Sequence, residues 1–388
     1  MLVNRTIEKT LQSLLTQYPI LSLTGPRQAG KTTLLKKLLP NYRYVSLEDT
    51  DMRTFATEDP RDFLNTFDQF VIFDEAQRVP TLFNYLQNKV DTDQVMGQYV
   101  ISGSQNFLLL ESITQSLAGR VAMLQLFPFD FAELTSAQLL PNQYTSLFYT
   151  GSYPAIFNRN LSPTTYYNNY VNTYVERDVR TIINVKDLAV FRLFLKLCAG
   201  RVGQVLNLNS LATECGISSH TARAWLGILE ASSIVFLMTP FFQNINKRLV
   251  KSQKLYFWDV GLLSFLLDIR DPEQLVSYYL RGNMFENMIL SEIHKRNYHE
   301  QLHQNFYFYR DSNQNEIDLL VQHAAQFDLV EIKSSQTLHA DFWKGLRHFE
   351  ENQAEMTRHK YLIYGGSDAY QRQNTAVLPW QKCGQVLG

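Results

Sequence analysis

The stretch Leu21–Leu35, LSLTGPRQAGKTTLL, decides how the first part of this 388-residue chain folds. Within it, Gly25-Pro26-Arg27-Gln28-Ala29-Gly30-Lys31-Thr32 fits the spacing G-x-x-x-x-G-K-[ST] of a phosphate-binding loop. Ile20, Leu21 and Leu23 supply a short apolar strand before the loop, and Thr32, Thr33, Leu34, Leu35 and Leu38 a helix after it. Gly25 and Gly30 admit backbone conformations closed to other residues, so successive N–H groups can turn toward phosphate oxygens. The helix that begins near Lys31 adds its positive end to the same anion. Lys31 is placed to reach the β- and γ-phosphates, and the Thr32 hydroxyl to ligate Mg²⁺.

Working outward, Tyr42–Leu47 reads as a second strand. The acidic run 48–62 that follows reads as a solvated loop and helix start. Phe70-Val71-Ile72-Phe73 reads as a strand buried on both faces, and its carboxyl end delivers Asp74 and Glu75. That end is where ligands bind in an open parallel sheet. Asp74 is therefore expected to hold Mg²⁺ through water, and Glu75 to orient the attacking water as a general base. Gln98–Ile101 is a further buried strand ending in Ser102, Gly103 and Ser104, of which Ser104 is favoured as a sensor of the γ-phosphate. Asn88-Lys89-Val90-Asp91 matches a guanine-reading motif, but Leu82, Phe83 and Leu86 before it have helical spacing. Adenine is the better reading, so the expected cofactors are ATP and Mg²⁺.

A formal net charge of −1 confines any nucleic-acid affinity to a local patch. No apolar run approaches the ~20 residues of a membrane span. Ile7, Leu11, Leu14 and Leu15 fall at helical spacing among charges, as in a packed amphipathic helix rather than a signal peptide. Cys198, Cys215 and Cys383 have neither disulfide nor zinc spacing, so a reducing cytoplasm is the expected location. His294, His299 and His303 lack metal-ligand company and are expected to be exposed.

In the middle of the chain, Tyr166, Tyr167, Tyr170 and Tyr174 read as a core stripe. Leu208–Cys215 and Ser219–Leu226 meet at Gly216 as a helix-turn-helix, with Ser218 capping the second helix and His220 and Arg223 offered to a groove. Ile234–Leu237 and Lys254–Trp258 would be the strands of a wing. Residues 201–258 hold six Lys or Arg (Arg201, Arg223, Lys247, Arg248, Lys251 and Lys254) against Glu214 and Glu230, a local charge of +4. DNA is accordingly an expected partner, through the winged helix and the basic hairpin 247–254.

Toward the C-terminus, 268–283 reads as a connection and Phe285–Ile293 as a helix carrying Glu286. Strands follow at Phe306–Tyr309, Ile317–Val321 and Leu329–Lys333, then a helix around Phe342–Phe349 and a strand at Tyr361–Tyr364. Glu331 and Lys333 lie two apart and share one strand face, and Asp318 on the neighbouring strand can face them.

GPRQAGKTT, VIFDEAQ, ISGSQNFLL and Ser116-Leu117-Ala118-Gly119-Arg120 together resemble a prokaryotic family of AAA-type ATPases with a C-terminal domain of unknown function. Gly151-Ser152-Tyr153-Pro154 and Tyr174–Val179 resemble its middle segment. The resemblance spans nearly the whole chain and implies ATP binding and hydrolysis. It gives Arg120 the part of an arginine touching the γ-phosphate, in its own chain or in a neighbour's, which leaves a homo-oligomer open. Asp318 with Glu331-Ile332-Lys333 resembles the PD-(D/E)xK nuclease core, although no Pro precedes Asp318. That resemblance implies Mg²⁺ on Asp318 and Glu331, Lys333 beside the water, and Glu286 as an additional acid.

The expected architecture is α/β: a doubly wound parallel-sheet P-loop NTPase over 1–145, a helical and winged-helix unit over 146–267, and a restriction-endonuclease-like α/β unit over 268–388. The expected function is ATP hydrolysis acting on or regulated by DNA, with nuclease activity open. The alternative is a nucleotide-driven switch whose later units bind protein.

Overall fold

The computed structural model describes residues 2–104, 113, 116–175, 188–241 and 253–388. After α1 (Glu8–Leu15), the chain alternates strands and helices: β1 (Ile20–Thr24), α2 (Lys31–Leu38), β2 (Arg43–Ser46), α3 (Thr50–Glu58), α4 (Pro60–Thr66), β3 (Val71–Asp74), α5 (Leu82–Asp93), β4 (Tyr99–Ser102) and β5 (Val121–Gln125). Asp49 and Asp59 cap α3 and α4, which accounts for the acidic run. The five strands form a parallel sheet in the order β2-β3-β4-β1-β5. β1, β3 and β4 are buried along their whole length because helices cover both faces. Separate apolar cores lie on the two sides, one around Phe63, Phe73 and Tyr99, the other around Leu11, Leu23 and Leu35. β4 lies between β1 and β3, so the carboxyl ends of three strands open on one site.

The middle of the chain is helical: α6 (Phe131–Ser136), α7 (Tyr144–Thr150), α8 (Pro154–Arg159), α9 (Pro163–Tyr170), α10 (Leu188–Ala199), α11 (Leu208–Cys215) and α12 (Ser219–Ala231). Tyr166, Tyr167 and Tyr170 are buried against Tyr153, while the Tyr174 side chain and residues 176–179 lie outside the described residues. α11 ends at Gly216 in the left-handed conformation, and Ser218 caps α12 by accepting the Thr221 N–H. β6 (Val235–Met238) and β7 (Lys254–Phe257) then pair antiparallel.

After α13 (Val260–Leu266) comes α14 (Arg281–His299), longer at both ends than its sequence pattern suggests. The last sheet contains β8 (Phe306–Arg310), β9 (Glu316–His323), β10 (Gln326–Lys333), β11 (Thr357–Tyr364), β12 (Tyr370–Arg372) and β13 (Thr375–Pro379), with α15 (Lys344–Asn352) crossing between β10 and β11. It is mixed: β8, β9 and β10 run antiparallel, whereas β10, β11 and β13 run parallel. One continuous core runs from Phe127 and Phe148 through Phe194, Trp225 and Phe285 to Val386, so the middle and last regions share their interior.

Candidate functional site

The P-loop follows β1. Gly25 has φ +138, and a Cβ there would sit 2.0 Å from the Leu126 carbonyl oxygen, so only glycine lets the loop pass β5 this closely. Gly30 (φ +98) opens α2 with no side-chain cap, leaving first-turn N–H groups directed at the loop. Pro26 and Ala29 are buried, Arg27 is half-buried and Gln28 exposed. Lys31 is buried, and its Nζ donates to the Gly25 and Pro26 carbonyls, each at 2.9 Å. Thr32 Oγ1 donates to Asp74 Oδ2 at 2.9 Å, bringing the loop and the end of β3 into direct contact. Thr33 and Gly30 border a small cavity shared with Leu2, Val3 and Pro154.

Asp74 is held by three hydroxyls. Besides Thr32, Tyr44 donates to Oδ2 at 2.5 Å and Ser102 to Oδ1 at 2.5 Å. Burial and then the Asp74 bond raise the Tyr44 pKa. Glu75 sits in the left-handed region (φ 55), a cost of order 1 kcal/mol that a functional position can carry. Its Oε2 accepts from Gln77 Nε2 at 2.5 Å and from Ser104 at 3.2 Å. Ser104 thus faces Glu75 while Ser102, the residue less favoured from the sequence, faces Asp74; Tyr44 and Gln77 are neighbours of the acids that the sequence did not point to. The parallel register that sets Asp74 opposite Ser102 is the missing signal. The oxygen donors of Thr32 and Asp74 suit a hard cation such as Mg²⁺.

For Arg120 the structure corrects one of the two expected parts, the one within its own chain. Arg120 precedes β5, and its carbonyl accepts from Ile20 N at the start of β1. The five-residue strand separates it from the P-loop end of the sheet by roughly 15 Å. Its guanidinium grips both carboxylate oxygens of Asp91, at 2.6 and 2.8 Å, so it does not serve the γ-phosphate of its own chain. Asn88–Asp91 lies inside α5, as its spacing suggests, and not at the end of a buried strand.

A second set of acids gathers near the start of α14. Lys333 Nζ lies 2.5 Å from Glu331 Oε1 and 3.4 Å from Asp318 Oδ2, so these three side chains share one face of the sheet. Asp318 also accepts the Ile332 N–H at 2.7 Å. Glu286 accepts from Lys254 at 3.1 Å and from Tyr256 at 2.5 Å, and Lys254 also pairs with Glu316. Burial first, then the Asp318 charge, pushes Glu331 up to about 8 against the pull of Lys333. Burial likewise raises Glu286. Oxygen donors suit a hard divalent ion, and Glu331 Oε2 is buried with no hydrogen-bond partner, which leaves an acceptor for one. The acid oxygens, however, do not all close to within 4.8 Å of one another, a condition that Asp130, Glu133 and His299 alone meet among the described residues.

That last trio overturns the expectation for His299, which is fully buried at the end of α14. Its Nδ1 lies 3.0 Å from Asp130 Oδ2, and its Nε2 accepts the Phe127 N–H at 3.3 Å. Asp130 and Glu133 form a capping box for α6, and Glu133 also accepts the Thr6 N–H at 2.8 Å. Burial alone would raise Asp130, but the hydrogen bonds from His299 and neighbouring groups outweigh it and bring it to about 2. Each of these acids and the ring is already engaged, so the trio is a structural knot rather than a metal site. His294 is enclosed by Phe236, Phe306 and Trp258, and burial lowers it to about 3. His303 is exposed.

The basic patch is smaller than the composition suggests. Lys254 is buried among the acids rather than displayed on a wing, and Arg201 pairs with Glu214. Lys247, Arg248 and Lys251 lie outside the described residues. His220 and Arg223 do face outward, opposite the buried Ala222, Trp225 and Leu226. No helix among the described residues is long and apolar enough to cross a membrane.

Residues 17–135 match the family model described as an AAA domain. Residues 141–273 and 281–383 match two models described as domains of unknown function, DUF8612 and DUF4143. Among solved structures, the Walker-type ATPase of Pyrococcus abyssi is 16% identical with a TM-score of 0.45, covering 67% of this chain and 94% of that one. An uncharacterized protein of Methanocaldococcus jannaschii is 23% identical over 354 residues, 82% of this chain and 75% of its own. An uncharacterized protein of Mycobacterium tuberculosis is 31% identical over 332 residues, 84% of this chain and 73% of its own. The chain therefore belongs to the same family as that mycobacterial protein, and its N-terminal part is an AAA-type P-loop ATPase domain.

Proposed function

We propose that the protein binds ATP with Mg²⁺ and hydrolyses it. The observation that carries this reading is the contact of the Thr32 hydroxyl with Asp74 at the N-terminus of α2, with Lys31 and Glu75 beside it. The backbone N–H groups from Arg27 to Thr33 receive the phosphate oxygens, and Lys31 exchanges its two loop carbonyls for the β- and γ-phosphates. Thr32, and Asp74 through water, would hold Mg²⁺, which would supply compensation for the charge of the triphosphate. Glu75, steadied by Gln77 and Ser104, orients the water that attacks the γ-phosphorus as the bond to the β-phosphate oxygen breaks. Isothermal titration with MgATP and a phosphate-release assay test this. Wild type should bind and turn over, and Lys31→Ala should bind at least tenfold more weakly because it loses charge-assisted contacts. Equal binding by the two proteins would sink the reading.

We further infer that Asp318 and Glu331, with Glu286 and Lys333 beside them, form a second divalent-cation site on a nuclease-like α/β unit. The orphaned oxygen of Glu331 supports this. Mn²⁺-dependent cleavage of plasmid DNA by wild type, lost in Asp318→Ala with ATP turnover intact, is the expected outcome. In the same reading α11 and α12 belong to a winged helix that meets DNA phosphates, supported by the outward His220 and Arg223. DNA affinity that does not fall with added salt, or no affinity at low salt, would count for the protein-switch alternative.

A further inference from the structure

Arg5 lies in the chain before α1, and only 7% of its surface reaches solvent. Its Nη1 donates to the Ala29 carbonyl at 2.8 Å and its Nη2 to the Phe127 carbonyl at 2.6 Å. Nε lies 2.9 Å from Glu133 Oε1, within ion-pair distance although its N–H makes no aligned hydrogen bond. The guanidinium carbon also stands 4.9 Å from the centre of the Phe129 ring. A planar fork with donors on several sides meets all these demands at once, which an ammonium cannot do.

The bond to Ala29 bears on the P-loop. A trans peptide points its C=O and the next N–H in opposite directions. Drawing the Ala29 carbonyl toward Arg5 therefore turns the Gly30 N–H the other way. Gly30 (φ +98) allows that orientation, and a Cβ there would come 3.4 Å from Arg5 Nη1. The second arm fixes the staple. Phe127 gives its carbonyl to Arg5 and its N–H to His299 at the end of α14, so the peptides on either side of its Cα are both held. Glu133 offsets the charge of Arg5, which makes the guanidinium a device for aiming a peptide rather than a phosphate ligand.

We propose that Arg5 is a positioning residue for the triphosphate: by stapling the Ala29 carbonyl to the Phe127 carbonyl it directs the Gly30 N–H into the phosphate cradle. This rests on the ATP reading above. The amide contact is made equally in the ground state and the transition state, so its loss raises KM more than it lowers kcat. Arg5→Lys keeps a charge for Glu133 but reaches one carbonyl at a time, and Arg5→Ala removes the staple. The experiment measures MgATP affinity by titration, KM and kcat by phosphate release, and thermal midpoint, for wild type, both variants and Lys31→Ala. Expected is about a tenfold loss of affinity in Arg5→Lys with kcat within threefold of wild type, and partial recovery of KM in Arg5→Ala on adding millimolar guanidinium. A lowered midpoint with unchanged affinity in Arg5→Lys would reduce Arg5 to a structural residue and overturn the inference. Should Arg5→Ala fail to fold, Arg5→Lys still decides. Binding by wild type that Lys31→Ala abolishes upholds the ATP reading whatever Arg5 does, and no binding by wild type overturns both.

Discussion

At the P-loop the carboxylates of Asp74 and Glu75 are held by hydroxyls and an amide: Thr32, Tyr44, Ser102, Ser104 and Gln77. In the C-terminal cluster the carboxylates of Glu286, Glu316, Asp318 and Glu331 are held chiefly by two ammonium groups, Lys254 and Lys333. Both arrangements bring acids together, which is costly unless the charge is met. Neutral donors satisfy oxygen lone pairs without cancelling charge, so the first site keeps its pull on a cation. Lysines cancel the charge, and the second site carries part of its own counter-ion. On the proposed reading, the first would take an ion that arrives with a nucleotide, whereas an ion at the second would have Lys333 to displace or accommodate.

Four measurements break or sharpen that contrast. The largest effect belongs to Glu75→Gln, whose amide keeps the shape of the carboxylate and the Ser104 neighbour but loses the base. Turnover should fall by about 10²–10⁴-fold with MgATP affinity retained, read by phosphate release and titration. Next, Lys254→Met strips a buried cation from Glu286 and Glu316 and should cost about 3–5 kcal/mol of stability in denaturant unfolding. If the lysine acts as a counter-ion, millimolar Mg²⁺ or Mn²⁺ should raise the thermal midpoint of the variant more than that of wild type. An equal shift in both would erase the distinction between the two sites.

The third uses Glu292 on α14, whose Oε1 accepts the Phe131 N–H while its Oε2 is buried without a partner. Burial first, then Asp130, raises it from 4.5 to about 8. A raised carboxyl binds its proton more tightly in the folded state, so its stabilisation is complete below pH 4.5 and lost as pH rises through 8. Glu292→Gln should flatten that decline by on the order of 4 kcal/mol between pH 5 and about pH 9, measured as unfolding free energy against pH. The smallest effect is at Arg120. Asp91→Ala breaks an exposed pair far from either site and should move the thermal midpoint by less than about 2 °C, with ATP turnover unchanged. A large loss of turnover would favour a catalytic part for Arg120 supplied to another copy.

The elements most legible in the sequence were those whose signal is local. β1, β3 and β4 announce themselves as short apolar runs, and the loop and acids that follow them stand at strand ends. α11 and α12 were legible through Gly216 and Ser218, which act within a few residues. β5 was not read because Val121–Gln125 exposes Met123 at the sheet edge and so lacks a continuous apolar run. Lys254 looked like one more surface cation in a basic stretch because its acids lie 32 and 62 residues further on. His299 looked idle because its partner Asp130 is 169 residues away. The sequence favours Ser104 over Ser102, but which hydroxyl meets Asp74 follows only from the strand register.

α14 runs nineteen residues, a rod about 28 Å long. Glu286 near its first turn belongs to the acid cluster, and His299 at its last residue accepts the N–H of Phe127, whose carbonyl Arg5 ties to the P-loop. A stiff member fixed at both ends cannot be disturbed at one end in isolation. Binding free energies are reciprocal, so a cation that alters MgATP affinity through this rod by some factor must find its own affinity altered by MgATP by the same factor. Two titrations in opposite order would then close on one number, and the helix would be the part that sets it.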